Sequence, residues 1–154
     1  TPDLRLVIAG DGPEADAVRD AVAAHPARIE WVGHQTRDGV MALMAEAAVF
    51  VFSSECYEGG TPMALIEAMA NGTPVVASDL GGPKSMVEEG VAGTRFAPGD
   101  PVALARAVNR LAADPDRLRA STRALFEQRY TADANYAALV DLYDAALEQR
   151  HATG

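Results

Sequence analysis

The chain has 154 residues, nearly half of them hydrophobic, with a formal net charge of −9 and one cysteine, which suits a single domain with a sizeable core. The acidic balance, without any basic stripe, argues against nucleic acid or an anionic membrane surface as main partner. One cysteine, Cys56, rules out an internal disulfide framework and suits a reducing compartment, and no apolar run approaches a membrane span.

The chain opens at Thr1-Pro2 directly before a strand, and reads as a piece of a longer protein. Leu4 to Ala9 is an apolar run of the kind a buried parallel strand requires. Gly10-Asp11-Gly12-Pro13-Glu14-Ala15 follows, then a helix to about Ala24. This loop matches the dinucleotide fingerprint G-x-G-x-x-A, but weakly. Pro13 removes one amide donor where a pyrophosphate would sit. The next strand, Arg28 to Val32, runs into Gly33 with its acidic residue, Glu30, inside the strand instead of at its end. A tight strand-to-helix turn is therefore favoured over an NAD site. Gly33-His34-Gln35-Thr36-Arg37 is a polar turn in which His34 has no evident carboxylate partner, so it reads as a solvated histidine, not a catalytic base. A helix from about Asp38 to Glu46 turns Val40, Leu43 and Met44 inward.

Ala47 to Phe52 is a second buried strand, and the stretch from Ser53 to Gly72 behind it reads as Gly-rich loop and helix. Gly59 and Gly60 let backbone amides approach a ligand with no Cβ in the way. Thr61 suits an N-cap, Pro62 the first helical position and Gly72 the stop. From Pro62 to Ala70 every residue except Glu67 is apolar, which predicts a buried helix carrying one carboxylate. Glu67 lies about 7.5 Å along the axis from Pro62. A helix N-terminus behind a glycine loop attracts phosphate, and an attached ribose could reach that carboxylate. Two readings stay open on these residues: a nucleoside-diphosphate site, or a Glu67 that merely surfaces or pairs with an arginine. Cys56, beside the loop with no basic neighbour, reads as a small half-buried side chain and not as a nucleophile.

Pro74 to Ala77 is a further buried strand. Ser78-Asp79-Leu80-Gly81-Gly82-Pro83-Lys84-Ser85 is a second Gly-rich loop, leading into a short helix from Lys84 to Glu88. Lys84, the only lysine among thirteen basic residues, can neutralise a phosphate or simply be solvated. Gly93 to Ala97 is a last strand. Asp100-Pro101 and Asp114-Pro115 each open a helix, with Leu104, Val108 and Leu111 on the buried face of the first and Leu118, Leu125 and Phe126 on that of the second. Thr131 caps a final helix to about Gln149, whose Tyr136, Leu139, Val140, Tyr143 and Leu147 recur at helical spacing. The alternation of strand and helix predicts an α/β fold with a parallel sheet.

The passage from Tyr57 to Ser78 resembles the signature of the family 4 (group 1) retaining glycosyltransferases, and the resemblance extends from Leu4 to about Tyr130. These have the GT-B fold of two Rossmann-like domains, and the resemblance is to the C-terminal, donor-binding half. It implies one Rossmann-like three-layer domain over residues 1–154 ending in C-terminal helices, with the N-terminal acceptor domain and the first strand and loop of this domain absent. It implies a UDP-, GDP- or ADP-sugar donor and a carbohydrate or lipid-linked acceptor held by the missing domain, with neither a metal nor another cofactor. By family pattern Glu67 binds the nucleotide ribose and Glu58 faces the transferred sugar as the catalytic carboxylate. Gly59, Gly60 and Thr61 present amides to the diphosphate, and Pro62 and Met63 complete that loop. Gly33, His34 and Gln35 border the nucleobase, Gly10 and Gly12 lie near the nucleotide, and Lys84 is the candidate phosphate cation. Two departures stand out. Eight residues separate Glu58 from Glu67, one more than the family spacing, and Pro83-Lys84-Ser85 replaces its Pro-Glu pair. The family draws an Arg and a Lys for the diphosphate from an upstream loop this chain lacks, so the 154 residues alone are expected to be inactive. A cytoplasmic parent, peripheral to a membrane at most, and self-association through the C-terminal helix are also expected. The rivals are an NAD-binding module, a GT-B sugar-nucleotide epimerase and a noncatalytic GT-B half.

Overall fold

The computed structural model describes residues 4–57 and 60–152. In chain order the elements are β1 (Leu6–Ala9), α1 (Ala15–Ala24), β2 (Ile29–Gly33), α2 (Arg37–Glu46), β3 (Phe50–Phe52), α3 (Met63–Ala70), β4 (Val75–Ser78), α4 (Gly81–Met86), β5 (Gly93–Phe96), α5 (Pro101–Ala112), a 3₁₀ turn (Pro115–Leu118), α6 (Arg119–Arg129) and α7 (Ala132–Ala152). Every strand pairing is parallel, as strands joined by helical crossovers require. The expected α/β fold is present.

The core shows why the strands read as continuous apolar runs. Side chains alternate across a sheet, and along β4 Val75 and Ala77 enter one apolar cluster while Val76 enters another. The first cluster joins Met44 of α2, Leu65, Ala68 and Met69 of α3, and Leu125 of α6. The second joins Phe96 and Ala107, with Val51, Leu104 and Val108 packed against it. Three layers result: α2, α3 and α6 on one face, β3-β4-β5 in the middle, α5 on the other. A sheet covered on both faces buries β4 along its whole length.

The first two strands are different. β1 and β2 form a ladder of their own, β3, β4 and β5 form another, and among the described residues no ladder joins the two. Leu6 is 49% exposed, and no residue of α1 is buried. A parallel strand with so little cover is unusual.

Local signals account for most element boundaries. Asp100 caps α5 by accepting from the amides of Val102 at 3.0 Å and Ala103 at 2.8 Å. The Thr131 hydroxyl accepts from the Ala134 amide at 3.2 Å ahead of α7. Four expectations are corrected. Asp114 makes no side-chain cap, and Asp114-Pro115 opens a 3₁₀ turn before α6 instead of the helix itself. Helix α4 begins at Gly81, not at Lys84, because a proline such as Pro83 is tolerated in a first turn, where its missing amide has no intrahelical partner. Helix α3 begins at Met63 with Pro62 at its cap and no side-chain cap bond. Cys56 is exposed, since the loop after β3 projects beyond the core.

Gly93 shows how tightly β4 and β5 approach. A Cβ there would lie 1.8 Å from the Val75 carbonyl oxygen, a backbone atom fixed in the ladder. Gly93→Ala should therefore cost about 2 kcal/mol or more. The measurement is the thermal midpoint, expected to fall by several degrees; an unchanged midpoint would contradict this strand spacing.

Candidate functional site

In each ladder the strands run in parallel, so the loops leaving their C-terminal ends line one edge of that ladder, the usual ligand edge of an open α/β sheet. Among the described residues they are 10–14, 34–36, 53–57, 60–62, 79–80 and 97–100. Helix α3 starts at this edge and runs away from it beneath the core.

The two ends of α3 are treated oppositely. Its C-terminal carbonyls are tied down: Asn71 donates its side-chain amide to Glu67 O at 2.9 Å, and Arg123 of α6 donates to Ala70 O. The Gly72 and Thr73 amides close the turn onto Met69 O and Ala68 O at 2.9 and 3.0 Å. Gly72, at φ 68°, takes the left-handed backbone that ends the helix. At the N-terminus only Leu65 N finds a partner, Pro62 O at 3.1 Å. The amides of Thr61, Met63 and Ala64 make no hydrogen bond among the described residues. Such amides carry the positive end of the helix dipole and suit an anion.

Glu67 stands four residues beyond Met63, about 6 Å along the axis. It is half-buried, and its carboxylate has neither a hydrogen-bond nor an ion-pair partner among the described residues. The alternative of an arginine partner for Glu67 is thus not realised: Arg123, at the same helix, pairs with Glu127 at 2.7 Å. Glu58 and Gly59 lie outside the described residues. Gly60, Thr61 and Met63 are exposed on the loop, and Pro62 is half-buried.

The second glycine-rich segment lies against the first. The Gly60 carbonyl oxygen is 1.9 Å, and its carbon 3.1 Å, from where a Cβ on Gly82 would stand. Lys84 points its ammonium at Asp79, 3.5 Å away, and Arg95 approaches the other oxygen of the same carboxylate at 3.5 Å. Arg95 also donates to Lys84 O at 2.7 Å. Lys84 is thus at the site edge but shares Asp79 with Arg95, an exposed arrangement that holds it loosely.

In the Gly10 turn some amides are engaged, while those of Asp11 and Glu14 make no hydrogen bond among the described residues. Gly10 N donates to Gly33 O at 2.8 Å, Gly12 N donates to the Asp11 carboxylate at 2.8 Å, and Pro13 has no amide. Trp31 Nε1 donates to Gly10 O at 2.8 Å, binding the turn to β2. The segment is a tight turn from β1 into α1. Gly33, at φ 65°, turns the chain out of β2. His34 is exposed, and Gln35 donates to Val32 O at 2.6 Å. None of the three bonds to Glu67 among the described residues.

Two hollows lie elsewhere. One, lined by Glu89, Thr94, Arg110 and Arg117, sits at the opposite end of β5, and the other lies between β5 and α5. Arg110 fills the first with bonds to Glu89 at 3.0 Å and to the Thr94 hydroxyl. Among the described residues no three His, Cys, Asp or Glu side chains converge as a metal site would require. No described helix is long and apolar enough to cross a membrane. The partners Asp79 and Arg95 and the contact at Gly82 were missed in the sequence, where nothing local signals them.

Comparison with known proteins gives the family and the fold. The family described as glycosyl transferases group 1 matches residues 1–114. Glycogen synthase of Mycobacterium tuberculosis is 34% identical over 137 residues, covering 88% of this chain and 32% of that protein. The alpha-maltose-1-phosphate synthase of the same organism is 37% identical over 128 residues, covering 73% and 32%. Among solved structures, Anabaena HepE in complex with UDP superposes with a TM-score of 0.77 at 25% identity, covering 94% of this chain and 42% of that one. Sucrose-phosphate synthase of Thermosynechococcus elongatus gives 0.77 at 28%, covering 94% and 39%. The chain is a domain of the group 1 glycosyltransferases, with the GT-B fold of its structural neighbours. It spans about a third of the length of the curated relatives it matches.

An unpartnered, half-buried carboxylate contributes nothing to folding. Glu67→Gln should leave the ligand-free thermal midpoint unchanged or slightly raised. A fall of several degrees would show that Glu67 has a structural role instead.

Proposed function

We propose that this chain is the donor-binding domain of a retaining glycosyltransferase, holding a nucleoside-diphosphate sugar along the edge where α3 begins. The observation that carries the reading is the pairing of three unbonded amides, at Thr61, Met63 and Ala64, with an unpartnered carboxylate at Glu67 one helical turn on. The spacing suits a diphosphate at the helix N-terminus and ribose hydroxyls donating to Glu67. Departure of the nucleoside diphosphate builds negative charge on the phosphate oxygens, and amides already aimed there stabilise it without reorganising. That assignment needs no divalent ion, so chelation with EDTA should leave turnover of the intact polypeptide unchanged. Glu58, preceding the glycines, is assigned to the transferred sugar, and retention at the anomeric carbon is part of the proposal. Gly33, His34 and Gln35 are assigned to the nucleobase, with Gly10 and Gly12 as walls near the nucleotide and Lys84 as a nearby cation. UDP is the first base to test, because the HepE structures hold UDP and UDP-glucose.

The acceptor, a carbohydrate or lipid-linked glycan, is assigned to the remainder of a longer, cytoplasmic polypeptide. The two unjoined ladders support a further strand from that remainder completing the sheet. The isolated chain is accordingly expected not to turn over, and measurable turnover by it would contradict this. The apolar face of α7, with Tyr136 and Tyr143 more than 60% exposed, is proposed as the surface for self-association. Sedimentation over a concentration series tests it, and a monomer throughout would count against it.

The decisive experiment is calorimetric titration of the intact polypeptide with UDP, GDP, ADP and NAD, repeated on Glu67→Ala. One nucleoside diphosphate should bind saturably, and the substitution should weaken it about tenfold to a hundredfold, the worth of hydrogen bonds to a charged group. Preferential NAD binding indifferent to Glu67 would move the site to Gly10 and Gly12 and overturn the assignment.

A further inference from the structure

The contact between the two glycine-rich segments has a direction. The Gly60 carbonyl oxygen is 1.9 Å and its carbon 3.1 Å from the Cβ position of Gly82. The difference is about 1.2 Å, the length of a C=O bond, so the carbonyl points almost straight at Gly82. No cis peptide bond is present among the described residues, and in a planar trans peptide the next N–H points opposite to the C=O. The Thr61 N–H therefore points away from α4, and nothing among the described residues accepts it. Gly60 itself has φ 93°, a left-handed backbone that glycine tolerates and that turns this peptide over.

We infer that Gly82 is a positioning residue for donor binding: by lacking a side chain it lets the Gly60 carbonyl seat on α4, and that seating aims the Thr61 amide at the diphosphate. The inference rests on the proposed nucleotide site and adds a residue that does not touch the ligand. Of the two partners, Gly82 is the fixed one. It is buried, its carbonyl accepts from the Ser85 hydroxyl at 2.8 Å, and Pro83 restricts the backbone behind it. Met86 and Val87 anchor the end of α4 in the core. Gly60 lies on an exposed loop. A methyl group on Gly82 would also meet Pro62 Cδ at 3.2 Å. The loop must therefore yield, and its peptide plane turns with it.

The test is a double-mutant cycle on the intact polypeptide, titrated with UDP, GDP and ADP. Gly82→Ala should weaken the nucleotide that binds by about tenfold or more, and Thr61→Pro, which deletes the amide hydrogen without adding bulk toward α4, should do the same. Both changes remove one hydrogen bond, so the double variant should bind no more weakly than the weaker single. Losses that multiply, or wild-type affinity in Thr61→Pro, would overturn the inference. Should Gly82→Ala fail to fold, Thr61→Pro decides alone: loss supports the role of the aimed amide, and retention overturns it. Absence of binding by the unaltered polypeptide would be a failure of the nucleotide reading itself, and would take this inference with it.

Discussion

A helix packed into a core normally has both ends satisfied, since each leaves unpaired backbone groups. In α3 only the C-terminal end is. Asn71, Arg123 and the Gly72 turn consume its carbonyls, while the amides of Thr61, Met63 and Ala64 make no hydrogen bond among the described residues. Leu65, Ala68 and Met69, all with no accessible surface, fix the axis between the two. The rest of the domain can be described as what is needed to hold that polarity: a sheet buried on both faces, α6 across the C-terminal end, and α4 beneath the loop that precedes the N-terminal end. Glu67, about one turn from those amides, is the one carboxylate on this otherwise apolar helix.

Much of this was legible in the chain. The apolar run to Phe52, the glycines and the lone Glu67 gave strand, loop and buried helix, because each depends on neighbours within a turn or two. The capping of α3 was misread: Thr61 is a good N-cap residue, yet no side chain caps the helix. A site that binds an anion has reason to leave that position open. The segment from Gly81 was read as loop because glycine and proline punctuate, but in a first turn they do not break a helix. What could not be read was tertiary. Asp79 gathers Lys84 and Arg95 from different elements, and Gly82 meets Gly60 across 22 residues of sequence. Composition carries no trace of either.

The domain is uneven in its packing. Its buried core belongs to β3, β4, β5 and the helices around them, whereas β1, β2 and α1 contribute no buried residue. The group 1 relatives are about three times as long as this chain.

The central claim is that a nucleoside diphosphate sits at the open end of α3. Amide NMR of the ¹⁵N-labelled intact polypeptide during titration with UDP addresses it directly. The account predicts that the largest shifts fall on Thr61, Met63 and Ala64, with Glu67 following. Shifts confined to Gly10, Gly12 and Ala15, with α3 unmoved, would contradict it.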